Sequence, residues 1–92
     1  MMPGAVIMPS VAVGSNCIVN SKALLEHDVQ IGDNSHISTG TIINGGSTIG
    51  NECFVGSGSV VREGITVAEN CFIGMNSTVT SNLTANSRFT KS

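Results

Sequence analysis

The sequence predicts an all-β chain: a single-stranded left-handed parallel β-helix of a little over four coils. Three observations carry that prediction. Aliphatic residues recur every six positions, turn-forming residues fill fixed places between them, and large aromatics are nearly absent. Stepping by six from Ile7 meets Val13, Val19, Leu25, Ile31, Ile37, Ile43, Ile49, Val55, Val61, Val67, Ile73 and Val79 without a gap. A period of six is neither the helical 3.6 nor the simple alternation of a strand. It marks a repeat architecture, in which each unit buries its apolar face only against its neighbours.

Each hexad supplies the same parts in the same order. The aliphatic rung ends a short strand. The next residue is glycine at Gly14, Gly32, Gly50, Gly56 and Gly74. Two bend positions then collect Asn, Asp, Gly, Ser and Lys, the residues that favour turns. Gly40, Gly46, Gly58 and Gly64 share the second bend position with Asn16, Asn34, Asn70, Asn76 and Asn82. These are the residue types that tolerate positive φ. Four residues after each rung comes a small or apolar inward residue, from Val11 and Cys17 through to Leu83. Three hexads close one triangular coil of 18 residues, and coils stack at about 4.8 Å. The whole chain, 1–92, reads as one domain, with hexads over 7–84 and a tail over 85–92.

So short a solenoid leaves apolar faces and strand edges uncovered. Ile18, His36, Phe54 and Phe72 lie 18 apart, which stacks them on one face, and they are the expected contacts of a homotrimer. Cys17, Cys53 and Cys71 share an inward column with Ser35. They read as small core residues, since burial disfavours the reactive thiolate.

Charge and composition exclude several functions. A net charge of −2 provides no basic patch, so nucleic acid is not an expected partner. No apolar run reaches the length of a membrane span. No signal-peptide pattern opens the chain, and three cysteines do not make a disulfide framework. A cytoplasmic protein is the expectation. Two histidines cannot build a three-histidine zinc site within one subunit, so no metal is expected. A Thr-x-Thr ladder of the ice-binding kind is absent around Thr39 and Thr41.

The chemistry-bearing residues cluster in "LLEHDVQIGDNSHIS". His27 and Asp28 fall on the two bend positions of their hexad, with Glu26 before them on an outward strand position, so all three should be accessible. A histidine beside carboxylates suits a general base acting on a hydroxyl or amine; it is also a common surface arrangement. His36 follows nine residues later, half a coil away and on another side of the prism. The two histidines can meet only between subunits.

The stretch "LLEHDVQIGDNSHISTGTIINGGSTIGNECFVGSGSVV", with its E-H-D-x-x-I-G-D-x-x-H-I run, resembles the β-helical domain of bacterial sugar acetyltransferases of the NeuD type. That group includes sialic acid O-acetyltransferases and nucleotide-amino-sugar N-acetyltransferases, and the resemblance spans about Val6 to Leu83. It implies an acetyl-CoA-dependent acetyltransferase acting on an amine or hydroxyl of a sugar, nucleotide sugar or similar small acceptor. It implies His27 as the base, Asp28 or Glu26 as the carboxylate supporting it, and His36, Gly45, Ser57 and Met75 as acetyl-CoA contacts. The family usually carries a preceding α/β domain for the nucleotide sugar and a G-x-P-A-like segment after the last coil. Neither is found in these 92 residues, which end "LTANSRFTKS", and Gly74-Met75-Asn76 stands where G-x-G is common. The alternative expectation is a non-catalytic trimeric β-helix, a scaffold or binding module derived from such enzymes.

Overall fold

The computed structural model describes residues 4–90. It contains fourteen two-residue strands and no helix among them. In chain order they are β1 (Val6–Ile7), β2 (Ala12–Val13), β3 (Ile18–Val19), β4 (Leu24–Leu25), β5 (Gln30–Ile31), β6 (His36–Ile37) and β7 (Ile42–Ile43). They continue with β8 (Thr48–Ile49), β9 (Phe54–Val55), β10 (Val60–Val61), β11 (Thr66–Val67), β12 (Phe72–Ile73), β13 (Thr78–Val79) and β14 (Arg88–Phe89). Every third strand pairs in parallel. The first face is β1-β4-β7-β10-β13, the second β2-β5-β8-β11, and the third β3-β6-β9-β12-β14. The register is 18 residues throughout the first four coils, as in Leu24↔Ile42 and His36↔Phe54. This is the parallel β-helix that the hexads predict.

The rungs form one column of core side chains. Leu25, Ile37, Ile43, Ile49, Val55, Val61, Val67, Ile73 and Val79 are fully buried. The residue before each rung points outward, because side chains alternate across a strand. Every bend places its second residue at positive φ, including Asn16, Asn34, Asn70, Asn76 and the four glycines expected there. Lys22, Asp28 and Glu52 adopt it as well.

The inward residue at each corner has a task beyond filling space. Ser35 Oγ donates to Gly50 O (2.7 Å), Thr41 Oγ1 to Gly56 O (3.1 Å) and Ser59 Oγ to Gly74 O (2.9 Å). Two of these oxygens also accept from the coil below, with Cys53 N to Ser35 Oγ at 3.1 Å and Ser77 N to Ser59 Oγ at 3.3 Å. Cysteine thiols repeat the first contact: Cys17 to Gly32 O, Cys53 to Ala68 O and Cys71 to Thr84 O. A small polar atom here satisfies main-chain groups that the bend would otherwise bury unpaired. No described buried side-chain N or O atom lacks a partner.

The last coil departs from the expected phase. Leu83, not the residue six after Val79, bridges Val67, and β14 pairs with β12 at a spacing of 16. The hexad after Val79 is therefore two residues short, and Leu83 becomes a rung with Phe89 six further on. Asn82 loses its expected bend position, and Asn86 has the positive φ instead. Asn82 Oδ1 accepts from Thr66 N at 2.8 Å, standing in for the carbonyl used one coil earlier, where Thr48 N donates to Ile65 O. The segment read as a tail from residue 85 thus winds on through Arg88–Phe89, giving five strands on the third face; Lys91 and Ser92 lie outside the described residues.

Candidate active site

His27 stands on the corner between the first and second faces, where the chain leaves β4 and enters β5. Its hexad bends there because Asp28 takes a φ of 64°. Main-chain bonds fix the corner from both sides. Asp28 N donates to Pro9 O (3.4 Å), and His27 O accepts from Gly46 N (2.9 Å). His27 and Asp28 are exposed and Glu26 is half-buried. Glu26 lies just beyond the strand rather than on it, with its N–H donating to Ile43 O. Gly45 sits directly below His27; a Cβ there would lie 3.4 Å from His27 O. With no side chain at Gly45, the imidazole has open space along the corner. The three ionisable side chains share this corner without a hydrogen bond or ion pair to one another among the described residues.

His36 is on the opposite side of the prism, in β6 on the third face. Its ring lies 5.1 Å from that of Phe54, and Phe54 stacks on Phe72 at 5.3 Å with planes 8° apart. Arg88 completes the ladder, its guanidinium carbon 4.7 Å from the Phe72 ring centre. Asn20 Nδ2 approaches His36 Nε2 at 3.4 Å.

Ser57 and Met75 lie on the corner between the third and first faces. Asn76 N donates to Ser57 O at 2.8 Å, and Met75 is 65% exposed. Within one chain, then, His27 and Gly45 share a corner, Ser57 and Met75 share another, and His36 stands apart from both.

Two features were not read from the sequence. The outward residues of the first face are aliphatic, with Leu24, Ile42 and Val60 half-buried and in register. Reading residues 18 apart at the position before each rung reveals this column. The second is a groove of about 430 Å³ along the second face, lined by residues that include Gln30, Thr48, Asn51 and Glu69. None of the residues expected to act lines it; His27 stands on the corner that borders the same face. Nothing in the hexad pattern signals a groove.

Residues 46–81 match the family model described as bacterial transferase hexapeptide (six repeats). Among solved structures, the acetyltransferase domain of PglB from Neisseria gonorrhoeae superposes with a TM-score of 0.82 at 22% identity, over 98% of this chain and 53% of that one. Serine acetyltransferase isoform 3 from Entamoeba histolytica, in complex with cysteine, gives 0.89 at 21% identity, over 97% of this chain and 35% of that one. A variant of perosamine N-acetyltransferase from Caulobacter crescentus, in complex with CoA and GDP-perosamine, gives 0.59 at 23% identity, over 96% of this chain and 50% of that one. At these identities the likeness is one of fold. The chain spans about half or less of their lengths. No curated protein matches it.

Proposed function

We propose that this chain is an acetyl-CoA-dependent acetyltransferase, with a homotrimer as its working form and His27 as general base at the subunit seam. The acceptor is an amine or hydroxyl of a sugar, nucleotide sugar or similar small molecule. The observation that carries this reading is the His27 corner. An exposed imidazole lies between two acidic residues in the chain, with Gly45 of the next coil beside its main chain. The similar solved structures support it, since one PglB domain structure is a complex with acetyl-CoA and the perosamine enzyme's with CoA and a nucleotide sugar.

In the proposed reaction His27 takes the proton from the acceptor as its nitrogen or oxygen attacks the thioester carbonyl. The tetrahedral intermediate collapses to the acetylated acceptor, and CoA leaves as the thiol with a proton. Asp28, or Glu26, steadies the imidazolium. A main-chain N–H at the corner is suited to hold the oxyanion. The step needs no metal.

The faces support the trimer. The first face shows the aliphatic column Leu24, Ile42, Val60; the third shows Ile18, His36, Phe54, Phe72. Both flank the corner of Ser57 and Met75. Packing the first face of one copy on the third face of the next turns that corner toward the threefold axis. It brings the corner of His27 and Gly45 beside the neighbour's third face, which bears His36. Gly45 and His36 are the acetyl-CoA contacts this arrangement favours, while Ser57 and Met75 face the centre.

Calorimetric titration with acetyl-CoA tests the reading. Saturable binding at one site per subunit is expected. Absence of binding at millimolar ligand would favour the non-catalytic scaffold instead.

A further inference from the structure

Two of the three faces carry apolar columns; the second carries Ala12, Gln30, Thr48 and Thr66 in register. The groove lies on this polar face. Its volume of about 430 Å³ falls within the range of small-ligand sites. One edge of it is built from glycines that let the coils pack closely: a Cβ on Gly32 would lie 2.7 Å from Asn51 N, and one on Gly50 would lie 2.8 Å from Glu69 N. This packing brings Asn51 and Glu69 of successive coils to the groove.

The polar groups on the channel are free to bind. Gln30, Thr48 and Glu69 have no side-chain hydrogen bond among the described residues. Asn51 Oδ1 holds Asp33 N at 2.7 Å, which fixes the amide and leaves its NH₂ to donate outward. The set therefore presents two carboxamides, a hydroxyl and a carboxylate, with no cation. A phosphate finds no partner here and meets Glu69. A polyhydroxylated ring finds donors and acceptors at several points.

We infer that this groove is the docking site for a polyhydroxylated acceptor, namely a sugar ring. Its role as acceptor site rests on the acetyltransferase reading; binding of the ring does not. The face has a corner at each long edge. One bears His27 of the same chain, three residues before Gln30. In the trimer proposed above, the other lies beside the neighbour's His27. A ring lying across the groove thus offers a hydroxyl or amine toward a base at the face's edge.

The test is a titration of uniformly ¹⁵N-labelled full-length protein with glucosamine, beside an acetyl-CoA titration of the same sample. Saturable shifts are expected in the side-chain amides of Gln30 and Asn51 and the main-chain amides of Gly32 and Gly50. Thr48→Val, which removes an outward hydroxyl while keeping the side-chain shape, should weaken binding roughly fivefold to tenfold. Shifts confined to the Ser57 and Met75 corner, or no shifts at the solubility limit of the sugar, would overturn the assignment. With acetyl-CoA still binding, that result would remove the groove and leave the acetyltransferase reading standing. Saturable sugar shifts at the groove without acetyl-CoA binding would keep the groove and remove that reading.

Discussion

At the residue scale, close coil-to-coil contact makes some glycines obligatory. A Cβ at Gly56 would sit 2.5 Å from Met75 N, a main-chain atom that has no room to move. Gly56→Ala should cost about 2 kcal/mol and lower Tm by roughly 10 °C in a scanning melt. The reverse applies at Glu52, a non-glycine at φ 57°. Glu52→Asn should stabilise by about 1 kcal/mol in denaturant unfolding, since asparagine tolerates that region better. Burial pushes the Cys53 thiol above its usual range, partly offset by the main-chain hydrogen bond it makes. The folded state therefore holds that proton more tightly than the unfolded chain. The resulting stability is complete below the ordinary thiol range and is lost as pH rises through the folded value. Cys53→Ala should flatten the alkaline fall in stability seen in pH-dependent unfolding. Thiol labelling at mildly alkaline pH should reach half-buried Cys17 before Cys53.

At the element scale, the rungs were legible because aliphatic residues recur without a gap, and each buried rung has a single inward direction. The corners were legible as bends because asparagine and glycine mark positive φ. What escaped is instructive. The shortened hexad after Val79 keeps an apolar residue, Leu83, at a position where the regular phase also expects one, so sequence spacing alone could not detect the slip. Only the strand pairing reveals it. At the site, the separation of His27 from His36 followed from half a coil of spacing. The side-chain detail did not follow, because Asn20 meets His36 from 16 residues away across coils. The groove was invisible because its lining, Gln30, Thr48, Asn51 and Glu69, is assembled across successive coils rather than along the chain. Deleting a central rung should be felt over the whole stack: Leu25→Ala should cost about 3 kcal/mol, measured by chemical denaturation.

At the scale of the whole molecule, two apolar outward columns flank one corner, and the proposed trimer buries both against further copies. Phe54→Asp places a charge in the stacked ladder between His36 and Phe72. It should convert a trimer to monomer in native mass spectrometry, and a wild-type chain that is monomeric at all concentrations would remove the seam on which the site depends. The central claim is that His27 moves a proton for acetyl transfer across that seam. The most direct measurement compares acetyl transfer by the wild-type protein and by His27→Gln, with acetyl-CoA binding and trimer mass determined on both. The variant should bind acetyl-CoA and assemble as the wild type does, while transfer falls by about 10²- to 10⁴-fold. Transfer undiminished in an intact His27→Gln trimer would contradict the assignment.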